Sequence, residues 1–454
     1  MTGKFGIALL CALLFAASVH ADELAITSGG RRIIDRDPSS AASNCAGWTY
    51  GPSPVTDDAG NIIAMYTVSD ALAHHCDVGV LSEERFGDSI QRHVPNGDGT
   101  WSAGRNVVDR TSFAWMSDAA FLQAHPETFV GHVASPSVVR IGGRYYMAFV
   151  GSVNDPNLCA AEHDARNGCG SCSDPWSYFV IMWAVSDDGV NWRVRERAPG
   201  DGALLARLPA AGDKHPGSIF KGLTRARMIE YAEGGKSYFY IAAEYWGAGG
   251  IKILMFRVAH DAASDWGITG TPQVWSASKS SWLDCPDGQL PGLFDDFREP
   301  SLADGGISGI ARTNILGYDT YIAVTASNTS MGSSSSNVAN SIMYYTSADL
   351  VHWMIGRTIR SAIPDFADGF GYSVSVIDPT IVNERDGTLK LYLASADGDI
   401  DHGIDRDGHY DCYLDPTIPT APYVGTGIYE ATVRNVVLQP TTITIVPPSG
   451  PVIS

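Results

Sequence analysis

Apolar residues along this chain recur in short alternating runs, each bounded by Gly, Asn, Asp or Ser, and beyond the first twenty-one residues no long run shows helical spacing. Alternation at period two between turn-forming residues predicts strands joined by hairpins. Several of these hairpins share one grammar: x-Pro-Ser, an apolar strand, a Gly-containing turn, then a Tyr-rich strand. The first is Tyr50-Gly51-Pro52-Ser53-Pro54-Val55, a turn at Asp58-Ala59-Gly60-Asn61, then Ile62 to Val68. The second is Ser135-Pro136-Ser137-Val138-Val139, a turn at Gly142-Gly143, then Tyr145 to Val150. The third lacks the proline: Arg225-Ala226-Arg227-Met228-Ile229, a turn at Gly234-Gly235, then Tyr238 to Ala243. The fourth is read as Arg298-Glu299-Pro300-Ser301-Leu302 followed by Tyr321 to Ala326, and the fifth as Asp378-Pro379-Thr380-Ile381-Val382, a turn at Asp386-Gly387, then Leu389 to Ala394.

The later half of a repeat is also visible. Ile181 to Val185 leads into Ser186-Asp187-Asp188-Gly189-Val190-Asn191-Trp192, and Ile342 to Tyr345 into Thr346-Ser347-Ala348-Asp349-Leu350-Val351-His352-Trp353. Both read as a strand, a tight polar turn and a Trp that opens the next strand. Five units at intervals of roughly 75 to 90 residues suit propeller blades that carry long loops. The expectation is an all-β chain folded as a five-bladed β-propeller over residues 47–440, after an N-terminal extension (22–46) and before a C-terminal tail (441–454).

The N-terminus and composition narrow the setting. Lys4, the apolar run Phe5 to Ala17 and the small residues before Ala21 have the layout of a signal peptide, too short in its apolar part to span a bilayer. Cleavage after about Ala21 and a secreted or periplasmic location are expected. The formal net charge of -19 disfavours nucleic acid and anionic membranes as partners, and no later stretch is apolar enough for membrane insertion. Export favours disulfides. Beyond Cys11 the cysteines number seven (Cys45, Cys76, Cys159, Cys169, Cys172, Cys285 and Cys412), so one is left over. Cys159, His163, Cys169 and Cys172 also have zinc-ligand spacing, although oxidation is the stronger expectation.

The chain resembles the five-bladed propeller glycosidases, the superfamily of glycoside hydrolase families 43, 32, 62 and 68. Thr346 to Trp353 is similar to their S-x-D-L-x-x-W. Ser135 to Tyr146 is similar to their innermost strands, while Arg298-Glu299-Pro300 and Asp378-Pro379 resemble their Arg-Asp-Pro and Asp-Pro motifs. The resemblance implies a glycosidase acting on a neutral or pentose-containing polysaccharide, arabinan- or xylan-like, with an oligosaccharide or polysaccharide as its partner and no required cofactor. Where those families open the first blade with an Asp-Pro carrying a catalytic carboxylate, this chain has Gly51-Pro52, and the second blade offers Ser135.

Glycoside hydrolysis needs two carboxyl groups, one to protonate the leaving oxygen and one to activate water or attack carbon. A propeller gathers the starts of its innermost strands around one mouth, so residues ahead of each x-Pro-Ser strand should converge. On that basis Asp378 and Glu299 form the expected pair, with Asp37 and Glu244 as further catalytic candidates. Arg298, Arg225, Arg227 and Ser135 are expected substrate-binding groups, and Trp48, Tyr50, Trp246 and Tyr372 are aromatics able to stack on sugar faces. Alternating aspartates at Asp397, Asp399 and Asp401 supply hard oxygen ligands suited to a structural calcium. Two other functions stay open: a glycan-binding propeller without catalysis, and a sialidase-like hydrolase, since Ser186 to Trp192 approaches an Asp-box one residue short.

Overall fold

The computed structural model describes residues 22–34, 48–70, 89–113, 130–153, 178–195, 204–206, 222–247, 250–286, 290–291, 307–327, 341–361, 376–384, 388–397 and 425–437. Strands dominate these residues. The first, β1 (Asp22–Ile34), precedes blade one, which comprises β2 (Trp48–Thr56), β3 (Ile62–Asp70), β4 (Ser89–His93) and β5 (Arg105–Val108). Blade two comprises β6 (Val130–Ile141), β7 (Arg144–Val153) and β8 (Tyr178–Ser186), edged by the short β9 (Arg193–Val194) and β10 (Leu204–Ala206). Blade three runs β11 (Gly222–Glu233), β12 (Lys236–Gly247), β13 (Gly250–His260), β14 (Ile268–Ser276) and β15 (Ser281–Asp284). Blade four runs β16 (Gly309–Thr313), β17 (Thr320–Ser327), β18 (Ser341–Ser347) and β19 (Trp353–Thr358). Next come β20 (Arg360–Ser361), which pairs with β1, and blade five: β21 (Val376–Asn383), β22 (Leu389–Asp397) and β23 (Gly425–Val437). Blade five is finished by β1 itself, antiparallel to β23 from Asp22↔Val437 to Ile34↔Ile428. The segment expected as an extension thus supplies this outer strand.

Five blades closed in a ring must share five seams, and five apolar clusters fill them. Val55, Tyr66 and Phe149 join blades one and two. Trp183, Phe239 and Phe256 join two and three, and Tyr240, Tyr321 and Trp353 join three and four. Leu24, Ile322 and Leu391 join four and five, while Ile34, Met65 and Tyr392 join five to one. A blade packed on both faces needs apolar residues at successive positions, which explains the near-continuous Phe239-Tyr240-Ile241-Ala242-Ala243 of β12. The molecule is a five-bladed β-propeller.

The inner strands β2, β6, β11, β16 and β21 surround one axial cavity of about 310 Å³, to which all five contribute. Each inner strand is an edge facing the axis, and its ladder groups need other partners. The serine of x-Pro-Ser provides one. Ser53 Oγ accepts the Val138 N–H at 2.9 Å, and Ser137 Oγ accepts the Met228 N–H at 2.7 Å, so each hydroxyl ties its blade to the next.

The fourth inner strand departs from expectation. It is Gly309–Thr313, paired Gly309↔Val324, while Arg298 to Leu302 lie outside the described residues. Blades four and five approach so closely here that a Cβ on Gly309 would lie 2.5 Å from the Thr380 Cα. Glycine therefore opens this strand at the position where the two blades pack.

Candidate functional site

Four inner strands carry the same irregularity. Register shifts fall between Tyr50 and Ser53, Ala134 and Ser137, Thr224 and Arg227, and Ile377 and Thr380. The residue pairs extruded are Gly51-Pro52, Ser135-Pro136, Arg225-Ala226 and Asp378-Pro379. Proline suits the second place because it has no N–H to withdraw from the ladder. At the first place φ is positive in three blades: 60° at Gly51, 47° at Ser135 and 50° at Arg225. Only glycine adopts this conformation without strain, so Ser135 and Arg225 are held there by the surrounding structure. The bulges all lie at the strand-start end of the axial cavity, which makes that end the candidate site.

On β12, facing Thr224 in the register, stands Glu244. The matching partners in the other bulged blades are Val68, Val150 and Ala394. A carboxylate thus replaces a small aliphatic residue in this blade alone among the four. Its side chain is only 2% exposed, and the Arg225 guanidinium donates to Oε1 at 2.9 Å while the Thr224 hydroxyl donates to Oε2 at 3.1 Å. Arg225 keeps 36% of its side chain exposed. The arrangement is a buried acid holding an arginine at the mouth.

Arg227, expected among the substrate-binding groups, is 3% exposed. Its Nε donates to the Ser308 carbonyl and its Nη1 to the carbonyls of Pro136 (3.2 Å) and Ala226 (2.9 Å). It braces blades two, three and four around the axis, where blades one and two use a serine. Ser135 is buried within its bulge, and Tyr50 is half-buried against the seam of blades five and one. Asp378, Trp48, Trp246 and Asp397 are placed by their strands: Asp378 in the bulge of β21, Trp48 at the start of β2, Trp246 in β12 and Asp397 at the end of β22. Asp37, Arg298, Glu299, Tyr372, Asp399 and Asp401 lie outside the described residues, as do all the cysteines except Cys285. That residue is free and buried, and burial pushes its thiol up to about 12. No group of three or more metal-ligating side chains occurs among the described residues.

The two polar turns resolve as one construction. Ser186 Oγ accepts the Gly189 N–H at 2.9 Å, and Asp188 Oδ1 accepts those of Val190 (2.8 Å) and Asn191 (2.7 Å). Trp192 Nε1 then donates to the Gly189 carbonyl at 3.2 Å. Ser347, Asp349 and Trp353 repeat every step around Leu350, whose φ of 67° matches the 72° of Gly189. The Asp-box-like residues are occupied in shaping a turn. Sequence reasoning missed Thr224 and Ser308, whose roles depend on cross-strand register and on a blade-to-blade contact.

No protein-family model matches the chain, and no curated protein matches it in sequence. Among solved structures it is similar to a family 117 glycoside hydrolase from the marine bacterium Zobellia galactanivorans, at 10% identity over 90% of each chain with a TM-score of 0.46. It is similar to an arabinanase of Bacillus subtilis at 11% identity over 90% of this chain and 97% of that one, with a TM-score of 0.42. A sucrose-6-phosphate hydrolase from Lactobacillus gasseri is similar at 12% identity over 89% and 64% of the two chains, again with a TM-score of 0.42. Identities this low transfer neither substrates nor residue roles.

Proposed function

We propose that this protein is an exported glycoside hydrolase acting on a neutral or pentose-containing polysaccharide, arabinan- or xylan-like, at the bulged end of its axial cavity. One observation supports the reading above the rest. The same bulge in four blades sets Gly51, Ser135, Arg225 and Asp378 at equivalent backbone positions around one opening, with Glu244 buried beneath Arg225.

In this scheme Asp378 is one of the two reacting carboxylates and Glu299, shortly ahead of blade four, is the other. Their separation decides between inversion and retention. Arg225 binds substrate hydroxyls, and Glu244, shielded from solvent, is a positioning residue that fixes the guanidinium. Asp397, Asp399 and Asp401 would hold a structural calcium, in which case a chelator lowers the Tm.

The test is direct. Asp378→Asn and Glu299→Gln should each reduce turnover of arabinan and xylan oligosaccharides by at least about a hundredfold, the usual scale for losing acid–base catalysis, while the circular dichroism spectrum is unchanged. Wild-type rates in either variant would sink that residue's role. A wild-type protein that binds these glycans without turning them over would instead be a glycan-binding propeller.

A further inference from the structure

A second cavity, of about 390 Å³, lies at the seam between blades five and one. Asn61, from the turn that follows β2, and Glu384, just beyond β21, line it. It therefore belongs to the strand-exit end, ~20 Å along β2 from the bulges at 3.3 Å per residue. Its size falls within the range of small-ligand sites.

One wall is aromatic. Trp101 packs against the apolar cluster of this seam yet stays half-buried and lines the cavity. Its loop is tied at several points. Pro95 and Trp101 form a β-bridge, Asn96 N–H donates to the Thr100 carbonyl at 2.9 Å, and Asp98 Oδ1 accepts the Thr100 N–H at 2.8 Å. Gly97 and Gly99, with φ of 79° and 87°, give the tight turn this loop requires. The loop that carries the ring is thus held in place before any ligand arrives.

The rest of the lining carries planar polar groups: Arg31 from β1, whose guanidinium lies beside Gly99 of the same loop, Glu384, and Glu430 from β23. Glu430 is oriented by the Lys390 ammonium at 3.3 Å and the Tyr392 hydroxyl at 3.2 Å. Burial and the two glutamates keep the Tyr392 hydroxyl protonated well above its ordinary range, so it acts as a donor. Anions meet two carboxylates on a chain of net charge -19. A metal ion would have to displace the Lys390 contact from Glu430. With Arg31 and Lys390 set beside the two glutamates, the lining suits a neutral ligand with one face of C–H groups and a rim of hydroxyls, which an aromatic platform and bidentate acids recognise together.

We propose that the cavity between blades five and one, lined by Trp101, Arg31, Glu384 and Glu430, is a second, non-catalytic saccharide-binding site. It stands on its own lining and does not require hydrolysis at the other end. The experiment is calorimetric titration of the full-length Asp378→Asn chain, which prevents turnover, with arabinohexaose and with xylohexaose. Introducing Trp101→Ala or Glu384→Ala should remove one binding step, or weaken it at least tenfold, and Trp101→Phe should restore it, which separates loss of the platform from loss of folding. If the mouth also binds, the stoichiometry falls from two to one. If the mouth reading fails, it falls from one to none. An unchanged isotherm in either alanine variant overturns the proposal, and so does the absence of binding by both hexasaccharides at millimolar concentration.

Discussion

Glu244 is a carboxylate at a strand position that its sister blades fill with Val68, Val150 and Ala394. Removing charges from water is costly, and a partly buried ion pair is weak evidence for stability. Arg225 is partly solvated, which screens the pair further. Copying blade two at this place, with Arg225→Ser and Glu244→Val together, is therefore expected to leave the denaturant midpoint unchanged or raised, and to abolish activity. The single Glu244→Ala change removes one acceptor each from the Thr224 hydroxyl and the guanidinium and should cost about 2 kcal/mol. Urea denaturation of the three proteins checks both expectations. A double variant that is both unstable and active would show that the pair serves packing and not the site.

The recurring elements carry two further expectations. Ser53 and Ser137 each satisfy a buried backbone N–H on the neighbouring blade. Replacing either with alanine orphans that donor, at about 1–2 kcal/mol each, read as a lower midpoint in urea with little change in slope. The two polar turns respond to acid. Backbone N–H groups, that of Asn191 foremost, hold the Asp188 carboxyl below the usual carboxylate range. Burial raises that of Asp349, but His352 and the N–H groups of His352 and Val351 outweigh it and bring the net shift downward. A lowered folded-state pKa means stability that is present above the unfolded value near 4 and lost as pH falls below it. The Tm should therefore drop as pH goes from about 4 to 2, and Asp188→Asn with Asp349→Asn should flatten that drop while lowering the Tm at neutral pH.

Closure is a property of the whole ring. The first and last described strands meet in blade five, where β1 covers the edge of β23 and buries Leu24, Ile26 and Ile34. At about 1.5–3 kcal/mol for each such side chain, the strand contributes as much as the whole net stability of many domains. Deleting residues 22–34 should expose the β23 edge and open the seams on either side of blade five. The expected result is aggregation by light scattering and loss of a cooperative melting transition. A truncated protein that melts cooperatively and stays monomeric would show that the ring is held without this strand.

The sequence by itself determined four of the five inner hairpins and the number of blades, because these follow from local alternation and turn residues repeated along the chain. It also singled out x-Pro-Ser as a recurring unit, and Asp378 falls at the same bulge as Gly51, Ser135 and Arg225. Only the tertiary structure decided what depends on contacts between distant segments. Gly309 opens the fourth inner strand where two blades nearly touch, and Arg227 lines the axial cavity while bracing three blades. Glu244 could be named from its sequence, but its pairing with Arg225 depends on cross-strand register. The seam cavity joins residues from both ends of the chain, Arg31 and Glu430, which no local pattern connects. Periodicity encodes what a strand is, whereas the shape of the closed ring sets what each side chain on it can reach.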